Sequence, residues 1–131
     1  MARGSAVNVL LDTCAVLAVA RGDLPERAAA ALKTAPEACV SVVSPWEIAI
    51  KAAGKLHLKE PAFSWFLGFV ERYDLREIPL DAQTTCAAAA LPLIHRDPFD
   101  RILVALAQAH ALTILTSDEN IPNYSGVKTL W

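Results

Sequence analysis

No run in the chain reaches the roughly 18 uninterrupted apolar residues that a membrane-spanning helix needs, although 54% of its 131 residues are hydrophobic and the mean hydropathy is +0.34. Much of that apolar content is alanine spread through helix-like segments, which predicts a compact, helix-rich and soluble molecule. Cysteine is scarce. Cys14, Cys39 and Cys86 form an odd set without metal-type spacing, which argues against a disulfide framework or a zinc site and fits a reducing cytoplasm. An excess of basic residues is also missing: 12 Lys and Arg face 14 Asp and Glu, a formal net charge of −2. The chain therefore does not bind nucleic acid through overall basicity, and any such role rests on a local patch. A cluster of metal-binding carboxylates would itself lower the net charge without making the rest of the surface acidic.

The length suits one domain, residues 1–131, with one core. Met1 to Ala20 imitates a secretory signal, with Arg3, an apolar middle and an Ala18-Val19-Ala20 ending. Asn8 and Asp12 interrupt it, and the same residues fit a strand and the helix after it. Val7 to Leu11 is a β-type run, Cys14 to Ala20 continues as a helix, and Gly22 stops it. Pro25-Glu26-Arg27 opens an alanine-rich helix to about Thr34, and Cys39 to Val43 reads as the second strand. Ser44-Pro45-Trp46-Glu47 reads as a helix start, with Ser44 as N-cap, Pro45 in the first turn and Glu47 completing a capping box. Gly54 marks that helix's end.

Beyond Pro61, Phe63, Phe66, Phe69 and Val70 recur at helical spacing to about Tyr73, and Leu75 to Ile78 is a third strand. Asp81 caps a helix that finishes near Leu91-Pro92. From Pro98 or Phe99 to His110 an apolar stripe of Ile102, Leu103, Leu106 and Ala109 marks another helix. Thr113 to Thr116 and Val127 to Leu130 complete the strands. Alternation of strand and helix with short joints predicts a three-layer α/β/α sandwich around a parallel sheet.

Three acids leave carboxyl ends of strands: Asp12 directly after the first, Glu47 a helical turn past the second, and Asp118 two residues past Thr116. In open parallel sheets those ends share one edge, where ligands bind. Asp97 and Asp100 stand three apart at the start of the helix leading into the Thr113 strand, which places them on one face if the helix has begun. Each acid alone also fits a helix cap or a dipole contact, and singly the two explanations stand level. Capping, however, does not require several helix starts to share one crevice. Carboxylates about 4 Å apart repel by several kcal/mol even at an effective dielectric of ~20. Such a cluster needs a cation, and oxygen ligands without Cys or a His cluster favour Mg²⁺ or Mn²⁺ over zinc.

Taken together, Leu10-Leu11-Asp12-Thr13, Ser44-Pro45-Trp46-Glu47, Asp97-Pro98-Phe99-Asp100-Arg101 and Thr116-Ser117-Asp118 resemble the PIN-domain ribonucleases, in motif order and over nearly the whole chain. The likeness is closest to the VapC-type toxins of bacterial and archaeal toxin–antitoxin pairs. The resemblance implies a sheet ordered 3-2-1-4-5 and an endoribonuclease using Mg²⁺ or Mn²⁺, with Asp12, Asp100 and Asp118 as metal ligands. Glu47 would bind metal through water or orient the nucleophile. Asp97 matches an extra carboxylate of one VapC-like subgroup; cap and indirect support is the preferred role, direct ligation the lesser. The resemblance further implies an RNA substrate, a VapB-like antitoxin and a homodimer.

Thr13, Thr116 and Ser117 are placed to fix carboxylate rotamers or bind phosphate, though for Ser117 an ordinary turn role is favoured. Lys51 and Lys55 follow Glu47 at steps of four and are candidates to contact RNA, the competing explanation being a solvated Glu–Lys pair. Arg96 and Arg101 flank the acids and either pair with them or bind the RNA strand. Phe63, Trp65, Phe66, Leu67, Phe69 and Val70 cover more of a helix than one core stripe requires; core packing is the commoner explanation, a partner surface the other. Of the histidines, His110 suits a helix C-terminus, His57 the surface, and His95 stands near the acids without a ligand-like partner. Two alternatives carry less weight: a haloacid-dehalogenase-type phosphatase, which needs a second Asp where Cys14 stands, and a domain that binds RNA or protein without cutting.

Overall fold

The computed structural model describes residues 6–94 and 96–131; Arg3 of the signal-like stretch and His95 lie outside them. In chain order the elements are β1 (Val9–Leu11), α1 (Thr13–Arg21), α2 (Glu26–Thr34), β2 (Ala38–Ser41), α3 (Val43–Ala52), α4 (Ala62–Arg72), β3 (Arg76–Ile78), α5 (Ala82–Ala90), α6 (Pro98–His110), β4 (Thr113–Leu115) and β5 (Lys128–Leu130). The five strands form one parallel sheet in the order β3-β2-β1-β4-β5. The sheet order that the resemblance implies and the α/β alternation read from the sequence are both present.

The register explains why β1, at the centre of the sheet, is apolar at every position. Leu10 stands beside Cys39 on β2 and Ile114 on β4, whereas Leu11 stands beside Val40 and Leu115. Successive side chains point to opposite faces, so Leu10, Cys39 and Ile114 pack under α6 with Leu103, Leu106 and Ile121. Leu11, Val40 and Leu115 pack on the other face with Val16, Ile48, Phe66 and Phe69 from α1, α3 and α4. Helices therefore cover both faces, as a parallel sheet requires.

Gly22 ends α1 with φ +80°, and its backbone N–H and that of Asp23 close on Val19 and Ala18 carbonyls. A methyl group there would meet no atom within 4 Å, so the cost of Gly22→Ala is conformational alone. An L-residue in the left-handed region costs about 1–2 kcal/mol. Urea unfolding of this variant should show a loss of about 1 kcal/mol; an unchanged midpoint would show that the turn relaxes.

Two expectations at β2 and α3 need correction. The strand stops at Ser41 and α3 begins at Val43, because the Ser41 hydroxyl accepts the Val43 N–H at 3.1 Å and turns the chain. Ser44 is therefore inside the helix, fully buried, and makes no N-cap or capping box with Glu47. Its hydroxyl instead accepts from the Thr13 hydroxyl at 3.4 Å, joining α3 to the start of α1.

Candidate metal and nucleic-acid site

The carboxyl ends of β1, β2 and β4 lie along one edge, and the helices that run back antiparallel to the strands begin there. Asp12 follows β1 and caps α1, its Oδ1 accepting the Ala15 N–H at 2.7 Å. Asp118 stands three residues beyond β4, and its Oδ1 accepts the N–H groups of Asn120 and Ile121 at 2.7 and 3.2 Å. Glu47 projects from the second turn of α3 and Asp100 from the first turn of α6. These four carboxylates line a single cleft of about 160 Å³ together with Thr13, Cys14, Lys51 and Ser117. For Asp12 and Asp118 capping and clustering are thus not alternatives, since the same side chains do both.

Asp12 is 4% exposed, and its carboxyl is pushed up to about 6. Burial is the main cause; hydrogen bonds from the Thr116 hydroxyl and the Ala15 N–H oppose it, and the charges of Glu47 and Asp118 add to it. A buried carboxylate with two acidic neighbours is held in an unfavourable state that a cation relieves. Among the described residues no three acid, imidazole or thiol groups stand close enough to form a coordination shell by themselves. Hard, hydrated cations do not require one: Mg²⁺ keeps several waters and is held by one or two carboxylates. The all-oxygen acids and the electrostatic demand at Asp12 fit Mg²⁺ or Mn²⁺.

The remaining candidates divide. Thr116 is buried, bonds Asp12 and accepts the Asp118 N–H at 3.0 Å, so one hydroxyl links two acids. Ser117 lines the cleft with its hydroxyl 3.2 Å from Cys14 Sγ. Cys14, missed as a lining residue in the sequence, is legible only as the neighbour of Thr13; as a thiol it does not supply the phosphatase's second acid. Asp97 is outside the cleft lining and caps α6, accepting the Phe99 N–H at 2.9 Å. Lys51 lines the cleft and pairs with Glu47 at 3.6 Å.

Three basic residues do not join it. Lys55 lies beyond the end of α3 at Ala52, so the helical step from Lys51 is broken and it lines, with Lys51, Gly54 and Leu56, a surface depression that shares only Lys51 with the acidic cleft. Arg96 is exposed ahead of α6 and outside the cleft lining. Arg101 is 8% exposed, and its guanidinium donates to the carbonyls of Ala88, Ala89, Leu91 and Pro92 at 2.8–3.2 Å. It closes the C-terminal end of α5, where orphan carbonyls need donors, and is not displayed to RNA. Sequence alone could not show this, because its acceptors are backbone atoms some ten residues away. A further aromatic feature, Trp46 edge-on to Phe99 at 5.0 Å, bridges the helices that carry Glu47 and Asp100.

The PIN-domain family model matches residues 9–127. Solved structures share the fold: one of VapBC2 from Rickettsia felis bound to a promoter DNA fragment, with TM-score 0.70, 16% identity and coverage of 94% of this chain and 97% of that one. A DNA-bound VapBC from Salmonella typhimurium gives 0.69 at 18% identity over 95% and 97%, and a toxin–antitoxin complex from Klebsiella pneumoniae gives 0.65 at 20% over 91% and 94%. Comparison with curated proteins finds no match. With its sheet order, its acid-lined edge and a family match over residues 9–127, the chain belongs to the PIN-domain family, whose members are in general nucleases.

Proposed function

We propose that this PIN domain is an endoribonuclease dependent on Mg²⁺ or Mn²⁺ and the toxin of a toxin–antitoxin pair. The observation that carries the reading is the convergence of Asp12, Glu47, Asp100 and Asp118 on one cleft at the carboxyl edge of the sheet. Asp12, Asp100 and Asp118 would hold the ion, directly or through water. Bound there, it supplies a water of lowered pKa and neutralises charge on the phosphoryl group. Glu47 orients the attacking water, and Lys51, held beside it, faces the scissile phosphate with a positive charge. Thr116 and the Ala15 N–H hold Asp12 in its rotamer, so the carboxylate is aimed before substrate arrives. Four of the 14 acidic residues line this cleft, so the net charge of −2 does not require an acidic surface elsewhere.

The toxin reading draws on the structures of toxin–antitoxin complexes that share the fold. It also draws on α4, where Phe63 and Leu67 stand four apart with 70% and 48% exposure while Phe66 and Phe69 fill the core. That outer stripe is where a VapB-like antitoxin would lie, and the toxin would act as a homodimer in the cytoplasm.

Cleavage of 5′-labelled small RNA by protein freed of any partner, with Mg²⁺, Mn²⁺ or EDTA, tests the enzyme. Discrete cuts leaving 5′-phosphate and 3′-hydroxyl ends, and abolished by EDTA, are expected. Metal and RNA binding without any cut, at high protein excess, would replace this reading with a binding module.

A further inference from the structure

We propose that Arg101 is a positioning residue for the acidic cleft, clamping the end of α5 against the first turn of α6 and against the turn that Asp118 opens. The proposal rests on the nuclease reading for its functional consequence. Arg101 directly follows Asp100, so its anchorage is that of the helical turn from which Asp100 projects. One side of the planar fork holds the carbonyls of Ala88, Ala89 and Leu91, and Nη1 holds that of Pro92. The same Nη1 stands 3.5 Å from the hydroxyl of Tyr124, which is 3% exposed.

Tyr124 ends the short 3₁₀ turn Ile121–Asn123, its N–H returning to the Ile121 carbonyl at 3.1 Å. Ile121 is fully buried and its own N–H is held by the Asp118 carboxylate. A single guanidinium thus links the backbone supports of Asp100 and Asp118, two acids on separate elements whose spacing across the cleft decides what they can hold together. Arg suits this role where Lys does not, because five donors in a rigid plane reach several carbonyls at once, while an ammonium offers a point charge.

The test pairs amide exchange with Mn²⁺ affinity from electron paramagnetic resonance of the free ion. Arg101→Lys should quicken exchange both in residues 88–92 and in 118–124 and weaken Mn²⁺ binding about tenfold or more, the loss that follows when a group orienting metal ligands is removed. Phe66→Leu, which loosens the core on the opposite face of the sheet, should quicken exchange around α4 and leave Mn²⁺ affinity unchanged, separating positioning from general destabilisation. Tyr124→Phe removes one hydroxyl and serves if Arg101→Lys does not fold: exchange should quicken in 118–124 alone and Mn²⁺ affinity should fall. Unchanged exchange in 118–124, or Mn²⁺ affinity no weaker than in the Phe66→Leu control, would leave Arg101 as a cap of α5 and overturn the proposal. A wild-type protein that binds no Mn²⁺ would instead refute the nuclease reading, and exchange by itself would then decide whether Arg101 couples the two segments.

Discussion

Asp12→Ala and Asp100→Ala are each expected to lower metal-dependent RNA cleavage about a thousandfold or more, whatever RNA proves to be the substrate. Each removes a carboxylate that lines the same cleft, one at the end of β1 and one on α6. An ion that polarises the attacking water and the phosphoryl oxygens contributes several kcal/mol to the transition state, and about 1.4 kcal/mol is a factor of ten in rate. Losing about 4 kcal/mol therefore gives the stated effect. Labelled-RNA cleavage under single turnover, at Mn²⁺ concentrations raised tenfold and a hundredfold, checks it. Cutting by both variants at the wild-type rate would place the activity elsewhere, in this chain or in a contaminant.

The second large effect has the opposite sign on stability. Asp12→Asn should make the metal-free protein more stable at neutral pH. The Asp12 carboxyl sits at about 6 against an ordinary 3.8, so between these values the folded state holds a proton that the unfolded chain has released. Stability then falls as pH rises through this window, and above it a penalty of order 3 kcal/mol remains, at about 1.4 kcal/mol per pKa unit. Asparagine keeps an oxygen for the Ala15 N–H, so α1 keeps its cap. Thermal melts without metal should place Asp12→Asn several degrees above wild type at pH 7.5. The gap should narrow below pH 6 and vanish below the ordinary carboxylate range. Mn²⁺ at neutral pH should raise the wild-type melting point and leave the variant's unmoved. Equal melting points at pH 7.5 would mean that Asp12 carries no such strain and that the cleft makes no electrostatic demand for a cation.

The two expected results oppose stability and activity at this one side chain, the trade-off common where a site is built for a ligand. Glu47 and Asp118 both raise the Asp12 carboxyl, so replacing either with its amide should recover part of the same stability.

How much of this was legible beforehand differs by element. The inner strands announced themselves as short β-branched and leucine runs, and burial on both faces left β1 apolar throughout, while the edge strands β3 and β5 carry Arg76, Glu77 and Lys128. Asp12, Asp81 and Asp97 were readable as helix caps, and all three accept a backbone N–H two or three residues on. Ser44 misled because Ser-Pro-x-Glu is a sound local start signal, yet the Ser41 hydroxyl turned the chain three residues earlier. Lys55 misled because a step of four means one face only while the helix lasts, and α3 ends at Ala52.

Sequence by itself determined the α/β order, the parallel sheet and which carboxylates leave strand ends, since these follow from local periodicity and from the rule that parallel crossovers bring helix starts to one edge. Only the tertiary structure decided which basic residues face that edge. A cation's role depends on what surrounds its head group: Lys51 stands in the cleft beside Glu47, while Arg101, one position from a cleft acid, is turned inward by backbone carbonyls that the fold alone brings to it.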